Sequence, residues 1–107
     1  MNIWALNKDT NIKHLLLLLT ELFQQTCFEI IDNPKDDKQS IRLGNSKVSD
    51  TQLYIYTYGQ NIGCYGVHIE FPDLQETNYK DTLEIYENIS FNTLINIIVT
   101  NLDIVPN

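Results

Sequence analysis

The chain has 107 residues, 43% of them hydrophobic, with only four glycines and three prolines, which predicts one globular domain over residues 1–107 and excludes a disordered chain. Its net charge is −7, so nucleic acid and anionic membranes are poor direct partners, because binding to phosphate groups requires Lys and Arg. The start of the chain lacks the basic and apolar regions of a signal peptide, and its leucine run falls far short of the roughly 20 residues that span a bilayer, so we expect a cytoplasmic protein.

The first predicted element is a helix over residues 11 to about 25. Its apolar residues recur at steps of three and four, which is the helical period: Ile12, Leu15, Leu16, Leu19, Leu22 and Phe23. Asp9 and Thr10 precede this pattern and are suited to cap the helix start. Leu17 and Leu18 widen the apolar stripe, so we expect the helix to be largely buried.

Short strands follow the helix, and a second helix ends the chain. The predicted strands span residues 28–32, 40–43, 52–58, 64–71 and 82–87. Ser90 is suited to cap the second helix, whose apolar residues keep helical spacing up to about Leu102. The order helix, five strands, helix, with short connections, predicts an α+β fold. We expect an antiparallel meander of about five strands with both helices packed on one face.

The alternation within the strands predicts two chemically different faces of the sheet. One face, expected to lie under the helices, carries aliphatic side chains: Leu53, Ile55, Val67, Ile69, Leu83 and Ile85. The other face would carry tyrosines and polar side chains: Tyr54, Tyr56, Tyr58, His68, Glu70, Glu84 and Tyr86. In a single-layered sheet this second face is exposed, and tyrosines beside carboxylates are typical of protein-binding surfaces. The same tyrosines would also stabilise the sheet as cross-strand pairs without any partner.

Three side chains on the fourth predicted strand raise the alternatives of catalysis and metal binding. Cys64, His68 and Glu70 lie at even spacing, and a cysteine beside a histidine can become a thiolate nucleophile. Residues four apart in a strand are about 13 Å apart, beyond hydrogen-bond reach, and no known phosphate-loop, metalloprotease or nucleophile motif is present. We therefore expect no catalytic residue, no cofactor and no metal site. Cys27 and Cys64 form no CxxC motif, so we expect two free thiols in a reducing cytosol, with a disulfide as the alternative.

Residues 65–72 (YGVHIEFP), residues 83–90 (LEIYENIS) and a final amphipathic helix ending in LDI at 102–104 resemble immunity proteins of bacterial polymorphic toxin systems. The nearest group is that of contact-dependent growth inhibition, and the resemblance covers residues 54–104. It implies a cytoplasmic protein, not an enzyme, that binds the C-terminal domain of a cognate toxin and blocks its active site. The complex would contain one copy of each chain.

The resemblance also implies an interface on the predicted polar face. Its toxin-binding residues would be Tyr54, Tyr56, Tyr58, His68, Glu70, Glu84, Tyr86 and Glu87. The carboxylates would mimic substrate phosphates, and the tyrosines would supply the packed centre. The loop over residues 73–81 is a second candidate contact.

The uneven charge of the chain favours a basic partner. Residues 48–107 hold eight acidic residues and one basic residue, whereas acidic and basic residues balance in residues 1–47. Many toxins of these systems are basic nucleases, to which an acidic surface is complementary. The alternative interpretation is that this charge serves only solubility. Two other functions stay open: an acidic secretion chaperone that dimerises and holds an extended effector segment, and a small enzyme that depends on Cys64.

Overall fold

The computed structural model describes residues 3–23, 27–31, 37–45, 51–71 and 81–105. The predicted end of the first helix (24–25), the last residue of the first predicted strand (32) and the candidate contact over 73–80 lie outside the described residues. The elements, in chain order, are a short 3-10 turn (Ile3–Ala5), α1 (Thr10–Leu22), β1 (Phe28–Ile31), β2 (Ser40–Asn45), β3 (Gln52–Tyr56), β4 (Tyr65–Phe71), β5 (Asp81–Ile89) and α2 (Phe91–Leu102).

The five strands form one open antiparallel sheet in the order β1-β2-β3-β4-β5. Each strand pairs with its neighbour in sequence, as expected where connections are too short for a crossover helix. The predicted α+β meander with an N-terminal and a C-terminal helix is therefore confirmed. The bounds differ slightly from those predicted: β3 ends at Tyr56, so Tyr58 lies in the following turn, and β5 is longer at both ends.

Both helices pack on the same face of the sheet. Cross-strand partners on this face follow one another across the central strands, from Ile41 to Ile55 to Val67. With the apolar side chains of α1 and α2 they form one buried cluster, whose fully buried members include Ile12, Leu15, Leu16, Leu53, Leu94 and Leu102. Full burial of each such side chain contributes about 1.5–3 kcal/mol. This cluster leaves the opposite face of the sheet without helices.

The junction between β5 and α2 is a single residue. Ser90 is the N-cap of α2, and its Oγ accepts a hydrogen bond of 3.2 Å from the backbone N–H of Thr93, as the sequence predicts. Asp9 is likewise the N-cap residue of α1, although its side chain makes no capping hydrogen bond. The short junction joins α2 directly to β5, and α2 packs on the neighbouring strand β4.

The register of β5 shows that the predicted faces of this strand are wrong. Glu84 lies opposite Ile69, and Tyr86 lies opposite Val67, while Ile85 lies opposite His68. Directly opposite residues of an antiparallel pair share a face. Two of the eight predicted interface residues, Glu84 and Tyr86, therefore lie on the helix side of the sheet, and Ile85 lies on the tyrosine side.

The physical reason is the irregular pairing of β4 with β5. The register shifts twice, between Tyr65 and Val67 and again between Ile69 and Glu70. Each such bulge changes which set of alternate side chains faces a given side. The sequence pattern separates the two sets of residues in β5, but the pairing decides which of them faces the helices.

Candidate protein-binding face

The face of the sheet away from the helices carries a group of aromatic side chains on its central strands. Tyr54 lies between Arg42 on β2 and His68 on β4, and Tyr56 lies opposite Gly66. Tyr58 follows in the turn after β3. We call Tyr54, Tyr56, Tyr58 and His68 the aromatic cluster, and this side of the sheet the tyrosine face.

The members of the aromatic cluster contact one another closely. The rings of Tyr56 and Tyr58 are stacked, with centroids 4.7 Å apart and planes at 24°. The ring of His68 meets that of Tyr56 edge-on at 5.1 Å and lies 5.6 Å from that of Tyr54. The hydroxyl groups of Tyr54 and Tyr58 share a hydrogen bond of 3.0 Å. Aromatic pairs at such distances contribute about 0.5–1.5 kcal/mol each beyond burial, so the cluster is ordered before any partner binds.

Tyr56 is the buried centre of the cluster, with 4% of its surface exposed. Its hydroxyl donates a hydrogen bond to the carboxylate of Glu87. Burial, followed by the negative charge of Glu87 and this hydrogen bond, raises the pKa of Tyr56 above its ordinary value. Burial and the hydrogen bond with Tyr54 raise the pKa of Tyr58 as well. An ordinary phenol is already protonated at neutral pH, so the raised pKa values of Tyr56 and Tyr58 extend their capacity to donate hydrogen bonds to more alkaline pH.

Arg42 and Glu70 form an ion pair next to the cluster. Nε of Arg42 lies 3.0 Å from Oε1 of Glu70, and Nη2 lies 3.4 Å from Oε2, which is a two-pronged arrangement. The guanidinium also lies 4.7 Å from the ring centroid of Tyr54, within cation–π range. The carboxylate of Glu70 is thus neutralised within the chain.

Glu87 lies at the β5 side of the cluster and remains exposed. It accepts a hydrogen bond of 2.9 Å from Nε2 of Gln60 in the β3–β4 loop, in addition to that from Tyr56. No described Lys or Arg is paired with it by a salt bridge. Its charge is therefore open to a cationic partner beside the aromatic cluster.

The structure brings six of the eight predicted interface residues together on the tyrosine face: Tyr54, Tyr56, Tyr58, His68, Glu70 and Glu87. The other two lie on the helix side, where the hydroxyl of Tyr86 donates a hydrogen bond of 2.7 Å to Glu84. Sequence reasoning missed Arg42 and Gln60. Arg42 contacts Glu70, 28 positions away, and Gln60 contacts Glu87, 27 positions away. Arg42 had one detectable signal, since it is a lone base in a predicted strand.

Comparisons with protein-family models, with curated proteins and with solved structures found no match to this chain. What the tyrosine face can do is therefore inferred from its own side chains. It offers ordered rings, phenolic O–H donors and two exposed carboxylates on an open sheet, that of Glu87 beside the cluster and that of Glu29 on the far strand β1. These groups suit the recognition of another macromolecule's surface, because aromatic rings supply contact area and hydroxyls supply directional hydrogen bonds.

The two cysteines lie apart from the aromatic cluster. Both are free and half-buried. Cys64 lies in the loop before β4 and lines a hollow of about 260 Å³ with Asn11, Thr57 and Tyr65, whereas His68 contacts Tyr54 and Tyr56. Among the described residues, no group of three or more His, Cys, Asp or Glu side chains is placed to hold a metal ion. None of the described helices is long and apolar enough to cross a membrane.

Proposed function

We propose that this chain is a cytoplasmic immunity protein that binds the C-terminal domain of a cognate toxin and blocks its active site. The toxin class that we propose is a basic nuclease. The observation that carries the proposal is the aromatic cluster, which is ordered by its own contacts on the helix-free face of the sheet. The resemblance of residues 54–104 to immunity proteins supports the same function.

The aromatic cluster has the properties of an energetically important interface centre. Tyr56 is buried and fixed, while Tyr58 is 39% exposed and can still be covered by a partner. Side chains that are already fixed lose little conformational entropy on binding. Tyrosine and tryptophan are also the residues most often found to dominate binding energies. Ile85, which is 56% exposed on the same side, extends the contact area towards the edge of the sheet.

The charge of the C-terminal half favours a basic partner. Residues 81–105 contain four acidic residues and no Lys or Arg, and Glu84 and Glu87 are exposed. A field of one sign accelerates the encounter with a protein of the opposite sign. A toxin that cleaves nucleic acid needs cationic groups at its active site, and exposed carboxylates can occupy the positions of substrate phosphates.

The other two hypotheses have less support. A chaperone that dimerises through a helix needs an apolar helix face outside its own core, but the exposed positions of α2 are polar: Asn92, Thr93, Asn96 and Thr100. On α1 the exposed large apolar residue is Leu18 alone among those described. A Cys64-dependent enzyme needs a base beside the thiol, and His68 instead packs within the aromatic cluster.

The test is co-expression with the toxin domain encoded immediately upstream, followed by size-exclusion chromatography and a nuclease assay with and without this chain. We expect a one-to-one complex in which nuclease activity is lost. Tyr58→Ala should weaken binding by at least about 1–2 kcal/mol. The matched control is Trp4→Ala, which removes another exposed aromatic side chain at a distance from the tyrosine face and should leave binding unchanged. No complex, together with a stable homodimer of this chain, would favour the chaperone hypothesis instead.

A further inference from the structure

The last strand of the sheet has an unusually accessible outer edge. Within the described part of the chain, β5 pairs only with β4, and its residues from Glu84 to Asn88 are all exposed. It is nine residues long, whereas β1 at the opposite edge has four. Edge strands are commonly protected by shortness, proline, lysine or bulges. β5, with the sequence DTLEIYENI, has no proline or lysine and is long; its protection is limited to the two register shifts in its pairing with β4. Its backbone can therefore accept a further strand.

A network of hydrogen bonds fixes the C-terminal end of this edge. The backbone N–H of Asn88 donates to Oε1 of Gln60 at 2.6 Å, and Oδ1 of Asn88 accepts from the backbone N–H of Asn61 at 2.8 Å. Asn88 has a left-handed backbone, with φ of 53°. Together with the bond from Gln60 to Glu87, these contacts tie β5 to the β3–β4 loop. A fixed edge loses little entropy when another strand pairs with it.

Both flanks of the edge offer sites for side chains of an added strand. On the helix side, Glu84 and Tyr86 border an open groove of about 310 Å³ whose other wall is α2. The α2 residues of the groove are mostly neutral and polar: Thr93, Asn96, Ile97, Thr100 and Asn101. On the other side, Ile85 and Glu87 adjoin the aromatic cluster. A strand added to β5 would thus place alternate side chains against the groove and against the tyrosine face.

We propose that β5 is a docking edge that takes an extended basic segment of the partner as a sixth strand. The charge of the edge argues for this occupant: Glu84 and Glu87 are exposed on opposite flanks, and residues 81–105 supply no Lys or Arg to balance them. Pairing with a second copy of this chain would bring four such carboxylates into one ladder, which like-charge repulsion disfavours. A strand with Lys or Arg would place a cation near each of them.

The docking edge rests on the proposed function, because the extended segment would belong to the same toxin partner. It adds how one part of that partner is bound. Main-chain hydrogen bonds would supply affinity independent of sequence, and the two carboxylates would select basic side chains. The tyrosine face would then contact the folded remainder of the partner. The two surfaces are adjacent, because Glu87 belongs to both.

The test uses a fluorescently labelled peptide of alternating lysine and valine, with a glutamate–valine peptide as the charge control. Binding is measured by fluorescence anisotropy, and hydrogen–deuterium exchange locates the protected backbone amides. We expect the basic peptide to bind and to slow exchange in β5, and the acidic peptide not to bind. A basic peptide with N-methylated backbone amides on the pairing side keeps the charge but cannot form the ladder, so it should bind at least about tenfold more weakly.

Matched variants of the chain distinguish binding at the β5 edge from attraction to the overall negative charge of the chain. Glu84→Lys should weaken binding of the basic peptide about tenfold or more; its described side-chain partner is the exposed Tyr86, so the fold should be kept. The control is Glu29→Lys, which makes the same charge change at an exposed position on β1. The docking edge would be overturned if the basic peptide did not bind, or if both variants lost the same amount of peptide affinity. It would also be overturned if the peptide slowed amide exchange on β1 instead of β5, or if this chain formed a homodimer through β5. A toxin complex that is weakened by Tyr58→Ala but not by Glu84→Lys would overturn it while leaving the proposed function standing.

Discussion

The ring of Tyr56 lies directly over the backbone of Gly66, its cross-strand partner on β4. A Cβ atom at Gly66 would overlap Cζ and Cε2 of that ring, so the aromatic cluster depends on the absence of a side chain at this position. Aromatic rings that cover a glycine of the neighbouring strand replace the packing that the glycine itself lacks. The pair explains how a tyrosine on the helix-free face can be almost completely buried.

The first prediction concerns this pair. Gly66→Ala should displace the Tyr56 ring and lower the free energy of unfolding by about 1–3 kcal/mol, as overpacking does. In a Tyr56→Leu background the same substitution should be less destabilising, because the overlapping ring atoms are gone. Urea unfolding of the four proteins of this double-mutant cycle measures the coupling. An equal loss in both backgrounds would contradict the steric relationship.

The second prediction concerns the ion pair of Arg42 and Glu70, whose side chains are 23% and 14% exposed. Removing either charge leaves the other mostly buried, so Arg42→Met and Glu70→Gln should each lower the free energy of unfolding by about 1–3 kcal/mol. The double variant should lose less than the sum of the two, because the interaction between these two charges can be lost only once. Denaturant unfolding measures all three. Strictly additive losses would show that the two side chains do not stabilise one another.

The third prediction concerns alkaline pH. The pKa values of Tyr56 and Tyr58 are raised above the ordinary value of 10.0, so the folded state retains their protons where the unfolded state loses them. Their contribution to stability is fully present below about pH 10, and it falls as the pH rises from there towards the folded-state pKa values. Unfolding free energies measured from pH 8 to pH 11 should show this loss. The slope of the unfolding free energy against pH gives the number of protons that unfolding releases.

The Tyr56→Phe/Tyr58→Phe double variant provides the control for the pH dependence. It lacks both hydroxyl groups, so its stability should fall less steeply above about pH 10 than that of the unsubstituted chain, whatever its absolute stability. The absorbance of phenolate gives an independent measurement of the same ionisations. Parallel declines in the two proteins would assign the alkaline loss to other groups.

The fourth prediction concerns Asn88, whose left-handed φ of 53° and side-chain hydrogen bond to Asn61 hold the end of β5. Asn88→Ala should remove the hydrogen bond and add backbone strain, whereas Asn88→Gly should remove the hydrogen bond alone. We expect the alanine variant to be the less stable of the two by about 1 kcal/mol. Hydrogen exchange at the end of β5 should quicken in both. If the glycine variant were as unstable as the alanine variant, the left-handed backbone at residue 88 would not contribute strain to the alanine variant.

The fifth prediction separates binding from catalysis. Cys64→Ser should leave protection against the toxin domain nearly unchanged, because Cys64 lines a hollow at the β3–β4 loop and is not part of the aromatic cluster. Loss of protection by this variant, with its fold retained by circular dichroism, would instead revive the hypothesis of a Cys-dependent enzyme. The measurement is survival of cells that express the toxin domain together with each form of the chain.

The sequence by itself determined the elements and their order. Apolar residues at helical steps place Ile12 and Leu16 on one side of α1, and strict alternation separates Tyr54 and Tyr56 from Leu53 and Ile55, because local backbone geometry fixes both periods. Since these strands are regularly paired, their alternation also predicted the two faces of the central sheet. The presence of tyrosines and His68 on one face therefore followed from sequence alone.

Only the tertiary structure decided which contacts the faces make. The alternation in β5 is as clear as in β3, yet two register shifts in its pairing with β4 place Glu84 and Tyr86 beside the helices and Ile85 beside His68. A shift of one residue reverses the faces of a strand without changing its sequence pattern. The ion pair of Arg42 with Glu70 is likewise invisible locally, because the intervening strand β3 sets the distance between side chains 28 positions apart. Periods of two and 3.6 residues arise from the local backbone, whereas register arises from the closing of loops and the packing of whole strands.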